Sequence, residues 1–112
     1  MESSDYPGLY MAAEAAYNAG DAEPFAALFA ESFTVNGAAL TGEQWRAIVV
    51  GNVANGMQYR TSGLSAVGPF LMVSGTTSMP DGSTWLQVGV LRFGPDGLVT
   101  EFSLLQDTVA SV

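Results

Sequence analysis

The chain has 112 residues, no cysteine, no histidine and no lysine, and a formal net charge of −8. The missing residue types exclude thiol nucleophiles, imidazole bases, disulfide scaffolds and the usual zinc sites. Arg46, Arg60 and Arg92 are too few and too scattered to form the basic stripe that a nucleic acid or an anionic membrane requires. With 48% hydrophobic and only 12% charged residues, the chain is too apolar for disorder and long enough for one core without a disulfide or metal. A single domain over 1–112 is expected, with no cofactor and no metal. No apolar run approaches the ~20 residues of a membrane helix. The acidic start, Met1-Glu2-Ser3-Ser4-Asp5, lacks the pattern of a secretion signal, so the expected location is the cytoplasm.

In chain order, residues 5–19 are rich in helix formers and stop at Asn18-Ala19-Gly20, a C-cap signal. Tyr6, Tyr10, Ala13 and Tyr17 share one face of that helix. A second helix is predicted from Asp21, a good N-cap residue, with Phe25, Leu28 and Phe29 on its apolar stripe. Phe33-Thr34-Val35 is a short β-prone run ending at the turn dipeptide Asn36-Gly37. Thr41 and Gln44 form a capping box for a third helix, on which Trp45, Ile48, Val49 and Val53 keep a 3.6 period until Asn55-Gly56. From Met57 the period changes. Turn signals at Gly68-Pro69, Pro80-Asp81-Gly82 and Pro95-Asp96-Gly97 divide the remainder into four strands, about 57–67, 70–79, 83–93 and 98–107. Short connections make them an antiparallel meander, and Gly63, Gly75 and Gly89 mark bulges or bends. The fold class is α+β: N-terminal helices packed on a curved, mostly antiparallel sheet that forms a cone around an internal pocket.

Tyr17-Asn18-Ala19-Gly20-Asp21, Phe25 to Ala30, Phe33-Thr34-Val35, Leu40-Thr41-Gly42 and the closing run from Pro95 to Asp107 resemble the nuclear-transport-factor-2-like (NTF2-like) superfamily. That group includes ketosteroid isomerase, limonene-epoxide hydrolase and the SnoaL-like polyketide cyclases. The resemblance implies the cone fold, a hydrophobic ligand and a homodimer through the outer sheet face. It also allows the family's active sites to be compared position by position. The isomerase tyrosine and base fall on Ala13 and Gly37. The hydrolase relay falls on Ser74, Met72 and Leu104, and the cyclase acid again on Leu104. None of these positions carries the family's acid or base.

Among the remaining polar residues, the mapping turns Tyr10 and Tyr17 toward the cavity, where a phenol can donate to a developing oxyanion. Packing of the core is the other account of both. Alternation groups Phe70, Met72, Ser74 and Thr76 on one sheet face with Thr100, Phe102 and Leu104, and the family mapping makes that face the pocket lining. Ser74 supplies a hydroxyl handle, Gln87 an amide, and Trp45 an aromatic wall. Asn36 is a candidate for a substrate hydrogen bond, with the Asn-Gly turn as the alternative role. Glu14, Glu23, Glu31 and Glu43 are expected on polar faces or helix first turns, Glu101 and Asp107 on the face opposite Leu104, and Arg60 and Arg92 at the surface. The expected function is a cyclase or isomerase acting on a polyketide- or terpenoid-like substrate mainly by positioning it, with Tyr10, Tyr17 and Ser74 as catalytic candidates. Non-catalytic binding of an apolar metabolite is the alternative.

Overall fold

The computed structural model describes residues 2–108. Its first long helix, α1 (Tyr6–Asn18), ends where the C-cap signal lies. Gly20 takes φ +97°, and the Asp21 N–H reaches back to the Ala16 carbonyl at 2.9 Å while the Gly20 N–H reaches that of Tyr17 at 3.1 Å. These two bonds satisfy carbonyls that a helix end leaves open. The segment predicted as a second helix is shorter than its apolar spacing suggests: α2 is one turn, Glu23–Ala26. Asp21 accepts from the Glu23 N–H at 3.2 Å, one position earlier than an N-cap would stand. Phe29 belongs to strand β1 (Phe29–Val35) instead of the helix. The Leu28 carbonyl accepts from the Val99 N–H at 2.8 Å, so pairing with the sheet overrides local helix propensity here.

Asn36-Gly37 turns the chain with both residues at positive φ and leads into a strand the sequence pattern did not reveal, β2 (Ala38–Thr41). Helix α3 (Gly42–Ala54) carries the predicted capping box: Thr41 Oγ1 accepts from the Gln44 N–H and Gln44 Oε1 from the Thr41 N–H. Arg46 on α3 pairs with Glu23 on α2, and the pair is solvent-exposed and contributes little. The four later strands fall where the turn signals put them: β3 (Gln58–Val67), β4 (Phe70–Ser78), β5 (Thr84–Phe93) and β6 (Val99–Thr108). The sheet order is β2-β1-β6-β5-β4-β3, antiparallel except for β1 beside β6. The architecture is the helix-on-curved-sheet α+β cone of the NTF2-like fold.

The helices cover one face of this sheet. Leu71, Leu91, Val99 and Val49 are fully buried under them, and Tyr6 stacks on Phe93 with ring centroids 3.9 Å apart. Each such aliphatic side chain contributes roughly 1.5–3 kcal/mol by leaving water. The face assigned to β4 needs correction. Leu71, Val73 and Thr77 point into the core, so Phe70, Met72, Ser74 and Thr76 lie on the convex face, away from the helices. Alternation shows which residues share a face; it does not show which face the helices cover, and both sets on β4 are apolar enough to be buried. On β6 the expected face is the concave one, with Phe102 buried and Leu104 half-buried against the core. Among the described residues no helix is long and apolar enough to cross a membrane.

Candidate functional site

Helix α1 buries Tyr6, Tyr10, Ala13, Glu14 and Tyr17 along one stripe. Opposite it, α3 turns Trp45 and Val49 inward. Between these helices and the concave sheet lies a cavity of about 250 Å³. Tyr10, Phe25 and Tyr59 form one wall, and Trp45, Ile48 and Asn52 from α3 form another. The sheet contributes Val73, Phe102 and Leu104 as floor, with Gln87 and Gln106 side by side at one end. The lining is aromatic and aliphatic with a few neutral hydrogen-bonding groups, the usual make-up of a small-molecule site. No ionisable acid or base other than phenols is part of it.

The polar groups around the cavity are tightly arranged. Asn18 holds β3 against the end of α1: its Nδ2 donates to the Tyr59 carbonyl at 2.8 Å, and its Oδ1 accepts from the Tyr59 N–H at 2.9 Å. That clamp stacks Tyr59 on Tyr17, centroids 4.4 Å apart. Burial raises the Tyr10 phenol far above its ordinary value, and the nearby Glu14 charge raises it further. Burial likewise raises Tyr17 and Tyr59. All three phenols are protonated donors at neutral pH. Tyr17 Oη and Trp45 Nε1 are buried with no hydrogen-bond partner among the described residues. At the other end, Gln87 Oε1 accepts from Thr77 Oγ1 at 2.5 Å and from Gln106 Nε2 at 3.4 Å.

Of the residues singled out from sequence, Tyr10, Trp45, Gln87, Phe102 and Leu104 come together around this cavity. Tyr17 is sealed beside it in the core, only 1% exposed. Ser74 and Met72 stand on the convex face, so neither reaches the cavity. They line or flank a separate concavity of about 660 Å³ on that face, bounded by Arg60, Thr76, Leu86, Val88 and Leu105 as well as Ser74. Asn36 is also elsewhere. Its Oδ1 accepts from the Leu104 N–H at 2.7 Å and its Nδ2 donates to the Leu104 carbonyl at 3.2 Å, so the amide that was a candidate for substrate fastens the β1–β2 turn to β6.

Sequence reasoning missed Glu14, Tyr59, Asn52 and Gln106. Glu14 was expected on a polar face, yet it is 4% exposed and bonded to the Thr61 hydroxyl and, at 3.4 Å, the Thr61 N–H. A signal was available: Glu14 is four residues beyond Tyr10 and three before Tyr17, squarely on the aromatic stripe. Its carboxylate sits behind the cavity wall and is not part of the lining. Among the described residues no cluster of acids could hold a metal ion.

No protein-family model and no curated protein sequence matches the chain. Solved structures do match in fold. An NTF2-like protein of unknown function from Mesorhizobium loti superposes with a TM-score of 0.79 at 15% identity, covering 94% of this chain and 93% of the other. SalBIII, an epoxide hydrolase/cyclase-like enzyme described in pyran ring formation in the polyether salinomycin, gives 0.78 at 18% identity, covering 95% and 93%. A protein provisionally assigned as a ketosteroid isomerase, from Kribbella flavida, gives 0.74 at 22% identity, covering 94% and 79%.

Proposed function

We propose that this NTF2-like domain is a small-molecule cyclase or isomerase that holds a hydrophobic, polyketide- or terpenoid-like substrate in the inner cavity and acts mainly by positioning it. The observation that carries this reading is the cavity wall itself: aromatic surfaces to pack a ring, and a protonated Tyr10 phenol beside them. Holding a folded substrate in reactive geometry can lower a barrier by roughly 7–11 kcal/mol. A fixed donor facing a developing oxyanion adds about 10²–10³-fold. Fold likeness to ring-forming proteins such as SalBIII agrees with the reading and by itself proves no reaction. Incubation with linear polyketide or terpenoid substrates is expected to yield a product with a new ring or a shifted double bond, and Tyr10→Phe is expected to slow it by about 10²-fold with little change in ligand binding.

One observation favours a second reading, non-catalytic binding: the only buried carboxylate, Glu14, is occupied by Thr61 instead of facing the cavity. In that case the ligand leaves unchanged, and Tyr10→Phe alters affinity alone.

A second copy of the chain is the partner we infer for the convex sheet face. Val67, Phe70, Met72, Leu86, Val88 and Leu105 leave a broad apolar patch exposed there, more than a monomer usually leaves in water. One row across that face runs from Arg60 on β3 through Thr76 and Leu86 to Asp107 on β6. A twofold axis parallel to the strands lays each Arg60 over Asp107 of the partner subunit, so the patch is self-complementary in charge as well as apolar. Light scattering at micromolar concentration is expected to give a dimer mass, and Leu105→Asp a monomer. A monomeric wild-type chain contradicts the inference.

A further inference from the structure

The two ends of the Gln87 amide are unequally occupied, and this bears on what the cavity accepts. Its oxygen is taken by the protein: Thr77 Oγ1, on a residue 1% exposed, donates to it at 2.5 Å, and Gln106 Nε2 donates at 3.4 Å. Both bonds orient the amide so that oxygen, not nitrogen, faces Thr77. The Gln87 Nε2, with two N–H groups, then has no acceptor among the described residues, and Gln87 lines the cavity. A donor kept in an apolar enclosure without an acceptor is costly until a ligand supplies one. The rest of the lining adds phenol and amide donors, from Tyr10, Tyr59 and Asn52, and no charged group of either sign.

A neutral, donor-rich wall selects against ions. A carboxylate ligand would lose its hydration with no cation to replace it, in a chain whose net charge is already −8. A hydrocarbon would leave Gln87 unpaired. Size selects as well: about 250 Å³ lies below the ~300–1,000 Å³ of sites that take drug-sized ligands. We infer that the ligand is an uncharged compound of one or two rings bearing a carbonyl oxygen, which accepts a hydrogen bond from Gln87 Nε2. This rests on the cavity being the ligand site and goes beyond it by stating what class of molecule enters. A four-ring ketone exceeds the space.

Titration calorimetry with four probes separates the two levels. α-Tetralone is a two-ring ketone, tetralin is the same skeleton without the oxygen, naphthoate is a two-ring anion, and progesterone is a four-ring ketone. α-Tetralone is expected to bind at least about tenfold tighter than tetralin, the effect of one satisfied donor in a dry site. Naphthoate and progesterone are expected to show no saturable heat. In Gln87→Leu the preference for α-tetralone over tetralin is expected to vanish while tetralin affinity holds. Gln87→Glu, which retains the acceptor for Thr77, removes the same preference if the leucine variant does not fold. Equal binding of tetralin and α-tetralone, tighter binding of naphthoate or progesterone, or an unchanged preference in both variants overturns the assignment and leaves the cavity as a ligand site. Failure of all four probes to bind overturns the cavity reading as well.

Discussion

Gly75→Ala is expected to abolish cooperative folding or to destabilise the domain by at least about 3 kcal/mol, the upper range for forced overpacking. A methyl group added there would lie 2.1 Å from the Arg60 carbonyl oxygen and 2.9 Å from Thr61 Cα, both backbone atoms of the neighbouring strand. Neither can be moved by a change of rotamer. The close approach arises where the β3–β4 register shifts between Thr61 and Gly63, a bulge that brings β3 down onto Gly75. The same bulge places Thr61 against Glu14 and Tyr59 against Tyr17, so the cavity wall depends on it. Gly8→Ala is the control. Gly8 is in α1 with nothing within 4 Å of an added methyl, so that change is expected to be neutral or to stabilise by up to about 1 kcal/mol. Chemical denaturation of the two variants is the measurement, and a well-folded Gly75→Ala protein would show that the bulge is not held as described.

Alkaline pH is expected to unfold the domain more steeply than an average protein of this size. Tyr10, Tyr17 and Tyr59 all have phenols raised above the ordinary value of 10.0, each chiefly by burial. The folded state therefore keeps protons that the unfolded chain loses above about pH 10. Their stabilising contribution is complete below that pH and falls as the pH rises toward the folded-state values. Each group costs up to about 1.4 kcal/mol per pH unit in that window. The summed loss between pH 9 and pH 11 is on the order of 3 kcal/mol. Tyr17→Phe removes one share of that slope. Since Tyr17 Oη is buried with no hydrogen-bond partner, the variant is also expected to be as stable as the wild type at pH 7, or more so by about 1 kcal/mol. Urea titrations from pH 7 to 11 test both parts. A flat profile above pH 10, or a large loss at pH 7 in Tyr17→Phe, would contradict the burial of these phenols.

The parts of this fold that were legible in the sequence are those set by local chemistry. Pro80-Asp81-Gly82 and Pro95-Asp96-Gly97 punctuate the strands because few residues other than glycine accept the turn conformations there. Thr41 and Gln44 announce α3 because their side chains take up its first N–H groups. What was misread depends on tertiary contact. Phe25, Leu28 and Phe29 have helical spacing, yet Leu28 is drawn into the sheet by Val99. Phe70 and Met72 alternate correctly, but only the helices decide that Leu71 and Val73 are the buried set. Ser74 left the candidate site for that reason. Glu14 had to be expected in water because its partner, Thr61, is 47 positions away in the chain. Asn36 looked like a turn residue or a ligand contact, and it is a turn residue whose amide also holds β6. Within the site, Tyr10, Trp45, Gln87, Phe102 and Leu104 were accessible to pattern reasoning because each lies on a regular face of a correctly placed element.

Native mass spectrometry of the wild type, Leu104→Trp and Leu105→Ser with α-tetralone distinguishes the inner cavity from the convex concavity directly. Leu104 lines the former and its neighbour Leu105 the latter. One ligand per chain, lost when Leu104→Trp fills the cavity and retained in Leu105→Ser, is the expected result. An adduct that survives Leu104→Trp and disappears in Leu105→Ser would place the ligand on the outer face and refute the assignment of the inner cavity as the functional site.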